Sequence, residues 1–168
     1  VAGLTAGRKK YAAVEGEFRE VARSAAALGL RLSSLVERDA QSYAAVSNAY
    51  KLPKEPADAA TTRDAAIAEA LLGASEVPLE TARACAEVAD LALIAAQRGN
   101  TNAISDAGVA ALLAEAACRG AAYNVMINVS AMTDRSRGGP LVREAEGLVT
   151  RTRETTRKVT ELVEQQLR

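Results

Sequence analysis

Asp39 is the residue whose type and position first suggest chemistry. Helical spacing places it on one stripe with apolar or small residues, which are Leu28, Leu32, Leu35, Ser42, Val46 and Ala49. A carboxyl that is buried without a partner either destabilises the fold or has its pKa raised. A carboxyl kept protonated near pH 7 on a rigid helix is what a general acid requires. The alternative is a structural Asp that is hydrogen-bonded at a helix–helix contact.

Two carboxamides interrupt a second apolar helix in the same way. Asn124 and Asn128 are four residues apart and share a face with Gly120. Each amide can donate and accept hydrogen bonds, so structural hydrogen bonds between helices would explain the two asparagines equally well. Polar residues at positions where packing favours apolar ones occur most often at functional sites. Three polar residues on two apolar stripes therefore indicate a shared polar site.

Two further clusters precede helices. Residues 99–106 read GNTNAISD, and Asn, Ser and Asp before an apolar helical run are candidate N-caps, so capping alone would explain Ser105 or Asp106. Near the start of the chain, Gly7 is followed by the run 8–11, RKKY. Its three cations indicate either a solvated basic corner beyond a helix end or an anion site.

Composition excludes several classes of function. The chain has 21 Lys plus Arg and 21 Asp plus Glu, which argues against a general electrostatic role at nucleic acids or membranes. It has no His, which removes His-based nucleophile systems and His metal sites. Cys85 and Cys118 stand alone on helical patterns and read as small core residues. No apolar run is long enough for a membrane span and no signal peptide is found, so we expect a cytoplasmic protein.

The elements that must position these residues are all helical. Aromatic residues make up only 3% and alanine dominates the apolar fraction, which is typical of closely packed helices. We predict one domain over 1–168, an all-α bundle of about five helices. The segments are a helix tail over 1–6 and helices over about 12–49, 57–76, 77–99, 106–129 and 141–167. Pro78 is placed in the first turn of its helix, and 132–140 in a loop.

Six short motifs in order make the chain resemble the cyclodeaminase/cyclohydrolase family. They are Gly7-Arg8-Lys9-Lys10-Tyr11, Asp39-Ala40-Gln41-Ser42-Tyr43, Lys51-Leu52-Pro53-Lys54, Val77-Pro78-Leu79, Gly99-Asn100 to Ser105-Asp106, and Asn124-Val125-Met126-Ile127-Asn128. This family includes the C-terminal domain of formiminotransferase-cyclodeaminase and stand-alone bacterial formimino- or methenyltetrahydrofolate enzymes. The resemblance covers the chain from end to end, and the motifs are specific in combination rather than singly.

The resemblance implies an all-helical homodimer acting on a tetrahydrofolate derivative, with no metal. A cyclodeaminase closes 5-formiminotetrahydrofolate to the 5,10-methenyl form with loss of ammonia. A cyclohydrolase interconverts the methenyl and 10-formyl forms. The family's proposed proton donor maps onto Asp39. The expected substrate-binding residues are Lys9, Lys10, Tyr43, Asn102, Ser105, Asp106, Asn124 and Asn128.

Two expectations complete the prediction. The family normally has a further helix and a glycine-rich loop ahead of the basic motif, so the resemblance implies that 1–6 is the end of an N-terminal helical segment that is missing here. The alternative function is a non-catalytic helical dimerisation or adaptor module. In that case Asp39, Asn124 and Asn128 would be polar contacts that set helix register.

Overall fold

The computed structural model describes all 168 residues as a bundle of α-helices without strands. A short α1 (Ala2–Thr5) precedes four long helices, which are α2 (Glu15–Tyr50), α3 (Ala57–Arg98), α4 (Ile104–Ser130) and α5 (Gly139–Leu167). Short 3-10 turns occupy Lys9–Val14 and Thr101–Ala103. The predicted all-α bundle is confirmed. None of these helices combines the length and apolar composition that crossing a membrane requires.

Helix α3 is the centre of the bundle because α2, α4 and α5 all pack against it, and α4 also packs on α5. Short connections make consecutive long helices antiparallel, so α2 and α4 run in the same direction on α3. These two helices scarcely touch each other. The consequence is an open groove with α3 as its floor.

Small side chains form most of the contacts around α3. Ala82, Ala84 and Ala89 are completely buried, and Cys85 of α3 packs with Cys118 of α4 in the same core. Both cysteines are free thiols, and burial raises the pKa of Cys85 to about 11. Alanine and cysteine allow the helix axes to approach closely, which explains how a chain with few aromatic residues builds a core.

The predicted break between two helices near residue 77 is wrong, because α3 continues through Pro78. A proline inside a helix removes one hydrogen bond and leaves the carbonyl four residues earlier without its donor. Here that carbonyl belongs to Ala74, and the Asn128 side chain of α4 donates to it at 2.6 Å. A neighbouring helix therefore supplies the bond that the proline removes, and α3 can remain continuous.

Other boundaries lie close to the sequence prediction. Gly7 has a positive φ of 78° just after α1, as expected for a residue that closes a helix. Helix α2 begins at Glu15 rather than near 12, because the preceding residues form a 3-10 turn. It ends at Tyr50, three residues before Pro53, where the residue preceding proline is restricted.

Candidate functional site

The groove between α2 and α4 brings together Asp39 and Asn124, two of the residues that the sequence singled out. Its volume is about 330 Å³. The lining residues are Leu32, Leu35, Val36 and Asp39 of α2, Pro78 and Thr81 of α3, and Ala117, Gly120, Ala121 and Asn124 of α4. A carboxyl and a carboxamide thus share an otherwise largely apolar cleft.

The prediction that Asp39 is buried is wrong for this chain. Leu28 and Leu35 on the same stripe are 5% and 3% exposed, but Asp39, one turn further on, is exposed. The reason is that α3 is the only long helix against which α2 packs closely, so the far edge of the α2 stripe faces the groove rather than another helix. The Asp39 carboxylate accepts no hydrogen bond and has no ion-pair partner, although Ser42 donates to its backbone carbonyl at 2.8 Å. This carboxyl is free to meet a ligand.

An ion pair next to Asp39 fixes the spacing of α2 and α3. Arg38 donates to both carboxylate oxygens of Glu80, at 2.6 and 3.0 Å. The hydrogen bonds from Arg38 hold the pKa of Glu80 below its ordinary value. Because Arg38 is occupied by Glu80, it does not neutralise Asp39. Sequence reasoning missed this pair, since residues 42 positions apart give no local signal.

Asn128 has a structural partner. Its amide N–H donates to the Ala74 carbonyl, and the side chain is half-buried. Pro78, which lacks the N–H that would otherwise bond the Ala74 carbonyl, itself lines the groove floor. Asn128 therefore stabilises the floor on which a ligand would lie, and its amide oxygen and second N–H remain available for other contacts.

Small residues keep the groove open on the α4 side. A Cβ added at Gly120 would meet nothing within 4 Å, and Ala117 and Ala121 are the neighbouring wall residues. Tyr43 lies one turn beyond Asp39 on α2 and is 75% exposed. The apolar floor with a few polar groups at its edge suits a flat heterocycle that carries hydrogen-bond donors and acceptors.

A second polar cluster lies at the other end of the bundle. Asn100 donates to the Leu4 carbonyl at 3.0 Å and accepts from the Asn102 backbone at 3.0 Å. The Thr101 backbone N–H donates to the Tyr11 hydroxyl at 3.3 Å, and this bond lowers the pKa of Tyr11. These bonds attach the segment carrying Lys9 and Lys10 to the turn before α4, and both lysines are exposed.

The expected capping of α4 by Ser105 or Asp106 is wrong. The helix starts at Ile104, and no side chain caps its first turn, whereas Asn100 caps the preceding 3-10 turn. Ser105 and Asp106 lie inside the first turn with exposed side chains. Their polar groups remain available at the end of the bundle that also carries the lysines and Asn102.

The structure thus divides the predicted site residues into two groups. The first group is Asp39 and Asn124, which line the groove, with Tyr43 and Asn128 one helical turn beyond them. The second is the end cluster, with Lys9, Lys10, Asn102, Ser105 and Asp106. Asp106 and Asn124 are 18 residues apart on α4, which corresponds to about 27 Å at 1.5 Å per residue. No group of three or more His, Cys, Asp or Glu side chains is arranged to hold a metal ion. A ligand that contacts both groups within one chain must therefore be extended.

Comparison with known proteins gives the same relatives by sequence and by structure. The model of the family described as formiminotransferase-cyclodeaminase matches residues 1–147. Methenyltetrahydrofolate cyclohydrolase of Methylorubrum extorquens is 43% identical over 149 residues, which is 89% of this chain and 72% of that protein. Formimidoyltransferase-cyclodeaminase of Rattus norvegicus is 34% identical over 153 residues, 87% of this chain but only 28% of that longer protein.

A solved structure extends the comparison to the whole chain. Formiminotetrahydrofolate cyclodeaminase from Thermotoga maritima has a TM-score of 0.89 at 25% sequence identity. The match covers 100% of this chain and 80% of that one. The helical arrangement that forms the groove is therefore shared with that protein.

Proposed function

Because the chain belongs to the formiminotransferase-cyclodeaminase family, we propose that it is a one-carbon tetrahydrofolate enzyme whose chemistry takes place in the groove. It converts 5-formiminotetrahydrofolate to the 5,10-methenyl form, or interconverts the methenyl and 10-formyl forms. It works as a homodimer in the cytoplasm. The observation that carries the proposal is the groove that sets the unpaired Asp39 carboxyl opposite Asn124.

The groove fits the reacting part of a folate. Its volume of about 330 Å³ lies at the lower end of the range for small-molecule pockets. A pterin is flat, with ring faces that suit the apolar side chains of Leu32 and Pro78. Its edge carries donors and acceptors that Asn124 and Thr81 can match. The negatively charged glutamate part of the substrate would extend out of the groove and be met by Lys9 and Lys10.

Asp39 acts as the general acid of both reactions. In the cyclodeaminase, the N10 lone pair attacks the formimino carbon, and the proton that N10 loses is taken up by the formimino nitrogen. The product is a tetrahedral carbon that lies between N5 and N10 and carries an amino group. The amino group takes a proton from Asp39 and leaves as ammonia, and the remaining nitrogen lone pair forms the methenyl C–N double bond. Holding N10 against the formimino carbon contributes further through proximity.

In the cyclohydrolase, water adds to the methenyl carbon and loses a proton. The hydroxyl oxygen then loses its proton and forms the C=O bond of the formyl group as the bond from carbon to N5 breaks, and N5 takes the proton that Asp39 donates. A bound ring system would cover the exposed Asp39 carboxyl and exclude bulk water from the reacting atoms. The same residue therefore serves both reactions, because both pass through a tetrahedral carbon between two nitrogens.

The relatives favour hydrolysis as the first reaction to test. The protein named methenyltetrahydrofolate cyclohydrolase is 43% identical and 72% of its length is matched. The matched relatives named formimidoyltransferase-cyclodeaminase are less similar, and this chain spans about a quarter of their length. The solved cyclodeaminase is 25% identical.

Two substrates distinguish the reactions. The protein is given 5-formiminotetrahydrofolate and 5,10-methenyltetrahydrofolate separately, and the methenyl absorbance is followed. A gain with the first substrate identifies a deaminase, and a loss with the second alone identifies a cyclohydrolase. A folded protein that changes neither substrate and binds no folate in titration contradicts the proposal and favours the adaptor module.

Substitution of Asp39 tests the general acid. Asp39→Asn keeps the shape and should reduce kcat by about 10² to 10⁴, the usual contribution of a positioned acid. The matched control is Glu37→Gln, an exposed carboxyl on the same helix that does not line the groove. It should leave kcat within about twofold, since it lies outside the reacting region. Full turnover by Asp39→Asn would show that another group donates the proton.

A further inference from the structure

Thr81 is the polar residue on the floor of the groove. It belongs to α3 and lies between Asp39 on the α2 side and Asn124 on the α4 side, and these three are the only polar residues that line the groove. Thr81 is half-buried, and its Oγ1 donates to the Val77 carbonyl at 3.3 Å. Because this bond uses the only hydroxyl hydrogen, Oγ1 can meet a ligand in the groove only as an acceptor.

Two ion pairs set the register of α2 on α3 at the groove. They join Arg31 to Glu87 and Arg38 to Glu80. Seven residues forward along α2 therefore correspond to seven residues back along α3, so the two antiparallel helices keep a constant register. Position 39 is level with position 79, and Thr81 lies two residues, about 3 Å, further along the α3 axis. Asp39 and Thr81 thus line the same part of the groove.

Asn124 lies at almost the same level on the opposite side. Asn128 donates to the Ala74 carbonyl at 2.6 Å, so four residues back along the antiparallel α4 bring Asn124 level with Pro78. The exposed Asn124 amide has no hydrogen-bond partner within the chain, and it can both donate and accept. It therefore suits the mixed donors and acceptors of a pterin edge, whereas Thr81 is fixed as an acceptor.

We propose that Thr81 positions the water molecule that attacks the methenyl carbon, which assigns the hydrolytic reaction to this chain. The inference rests on the proposed function and narrows it from two reactions to one. A ring system bound over the floor would exclude bulk water from the reacting atoms, so the groove itself has to hold the attacking water. An acceptor on the floor beside Asp39 does so by taking one of the two water hydrogens. Ring closure with loss of ammonia consumes no water and needs no such acceptor.

The hydrolytic step uses Thr81 and Asp39 as two acceptors for one water molecule. Water donates one hydrogen bond to Thr81 Oγ1 and the other to the Asp39 carboxylate, so that a lone pair on the water oxygen is directed at the methenyl carbon. This lone pair forms the C–O bond, the C=N electron pair moves onto nitrogen, and the hydrogen bonded to Asp39 passes to it as a proton. Asp39 gives that proton to N5 as the bond from carbon to N5 breaks. The hydroxyl proton leaves to solvent as the formyl C=O bond forms, and Thr81 neither gains nor loses a proton.

Thr81→Val tests the water position, because it keeps the shape of the side chain and removes the hydroxyl. With 5,10-methenyltetrahydrofolate as substrate, kcat should fall about 10- to 100-fold through loss of orientation, while KM stays within about twofold. Thr81→Ser keeps the hydroxyl and should hold kcat within about threefold of the wild-type value. Circular dichroism and the urea midpoint of both variants should stay close to those of the wild type.

The matched control is Thr61→Val. Thr61 is an exposed threonine of α3 whose Oγ1 donates to the Ala57 carbonyl at 3.0 Å, the same kind of bond that Thr81 makes, but it does not line the groove. Its substitution should leave kcat and KM within about twofold of the wild-type values, as is usual for a surface change away from a site.

Each contrary result has its own meaning. A raised KM with unchanged kcat in Thr81→Val would show that Thr81 holds the pterin edge, and would overturn the water role. A Thr81→Ser variant as slow as Thr81→Val would overturn it too, because packing would then explain both losses. A wild-type protein that closes 5-formiminotetrahydrofolate but does not hydrolyse the methenyl substrate would overturn this inference and leave the folate function standing. A folded protein that is inactive with both substrates would overturn the proposed function itself, and this inference with it.

Discussion

Helices α4 and α5 are of similar length and pack side by side on α3, yet their outer surfaces differ completely. Helix α4 carries only three charged residues, Asp106, Glu115 and Arg119, whereas α5 carries charges along most of its outer side. Helix α5 buries Ala145, Thr152 and Val159 and exposes its charged residues to water. Helix α5 is therefore an ordinary surface helix with one buried and one solvated side, while α4 has the composition of a helix that is covered on both sides.

The largest expected effect comes from placing a charge on the stripe of exposed apolar residues along α4, such as Leu113, which is 66% exposed. Covering this face in the proposed homodimer would bury the carboxylate of Leu113→Glu without a partner, so the dimer dissociation constant should rise by about 100-fold or more. The matched control is Leu30→Glu on α2, a leucine that is 76% exposed and lies outside the stripe. Sedimentation equilibrium of both variants gives the comparison. Equal weakening by both substitutions would mean that α4 is not the interface.

The next effect concerns how α4 is attached to its two neighbours. Asn128→Leu leaves the Ala74 carbonyl without a donor, because Pro78 has no N–H, and should cost about 1–3 kcal/mol of unfolding free energy. Thr156→Val removes the 3.1 Å bond from α5 to the Ala111 carbonyl, which keeps its own helical donor, so about 1 kcal/mol or less is expected. Urea unfolding measures both.

A double-mutant cycle identifies the cause of the larger effect. Pro78→Ala restores a backbone N–H for Ala74, so Asn128→Leu should cost much less in the Pro78→Ala background. If the cost is the same in both backgrounds, the side chain acts through packing rather than through the orphaned carbonyl. The control Asn124→Ala removes an exposed amide with no partner and should change stability by less than about 0.5 kcal/mol.

The sequence predicted the bundle because its strongest signals are local. Helical periodicity, Gly7 and Pro53 depend on neighbouring residues, and each is found in place. The continuation of α3 through Pro78 was not predictable in this way, because it depends on the Asn128 amide, 50 residues away on another helix. The continuous α3 is a case in which tertiary structure overrides local propensity.

The sequence predicted that Asp39 and Asn124 lie near each other, but it did not predict their surroundings. Asp39 and Asn124 share a groove, as polar residues on two apolar stripes indicated. The exposure of Asp39 was not foreseen, because a stripe pattern does not say how many helices cover it. The separation of about 27 Å between Asp106 and Asn124 was predictable, since the predicted helix over 106–129 already carries both residues.

Two glycines of α4 provide a smaller test of which side is covered. A Cβ at Gly108 would lie 3.1 Å from Val163 of α5, whereas one at Gly120 would meet nothing within the chain. In a dissociated background such as Leu113→Glu, Gly120→Ala should therefore add up to about 1 kcal/mol through helix propensity, and Gly108→Ala should gain less or lose. In the wild-type background, Gly120→Ala should weaken the proposed dimer by crowding whatever residues of the second subunit cover this face of α4. Unchanged dimerisation would place Gly120 outside the contact.

The smallest effect comes from the charged side of the comparison. Arg83 of α3 donates to Glu144 of α5 at 2.6 and 2.8 Å, and these bonds hold the pKa of Glu144 below its ordinary value of 4.5. A lowered folded pKa means that the pair stabilises the fold above pH 4.5 and that this contribution is lost as the pH falls through the folded pKa. Both side chains are more than a third exposed, so water screens the pair and its contribution should be below about 1 kcal/mol. Glu144→Gln should therefore lower the unfolding free energy slightly at pH 7, with the difference shrinking as the pH falls below 4.5. A difference that stays constant down to pH 2.5, on the order of two units below that value, would show that Glu144 stabilises α5 through packing and not through its charge.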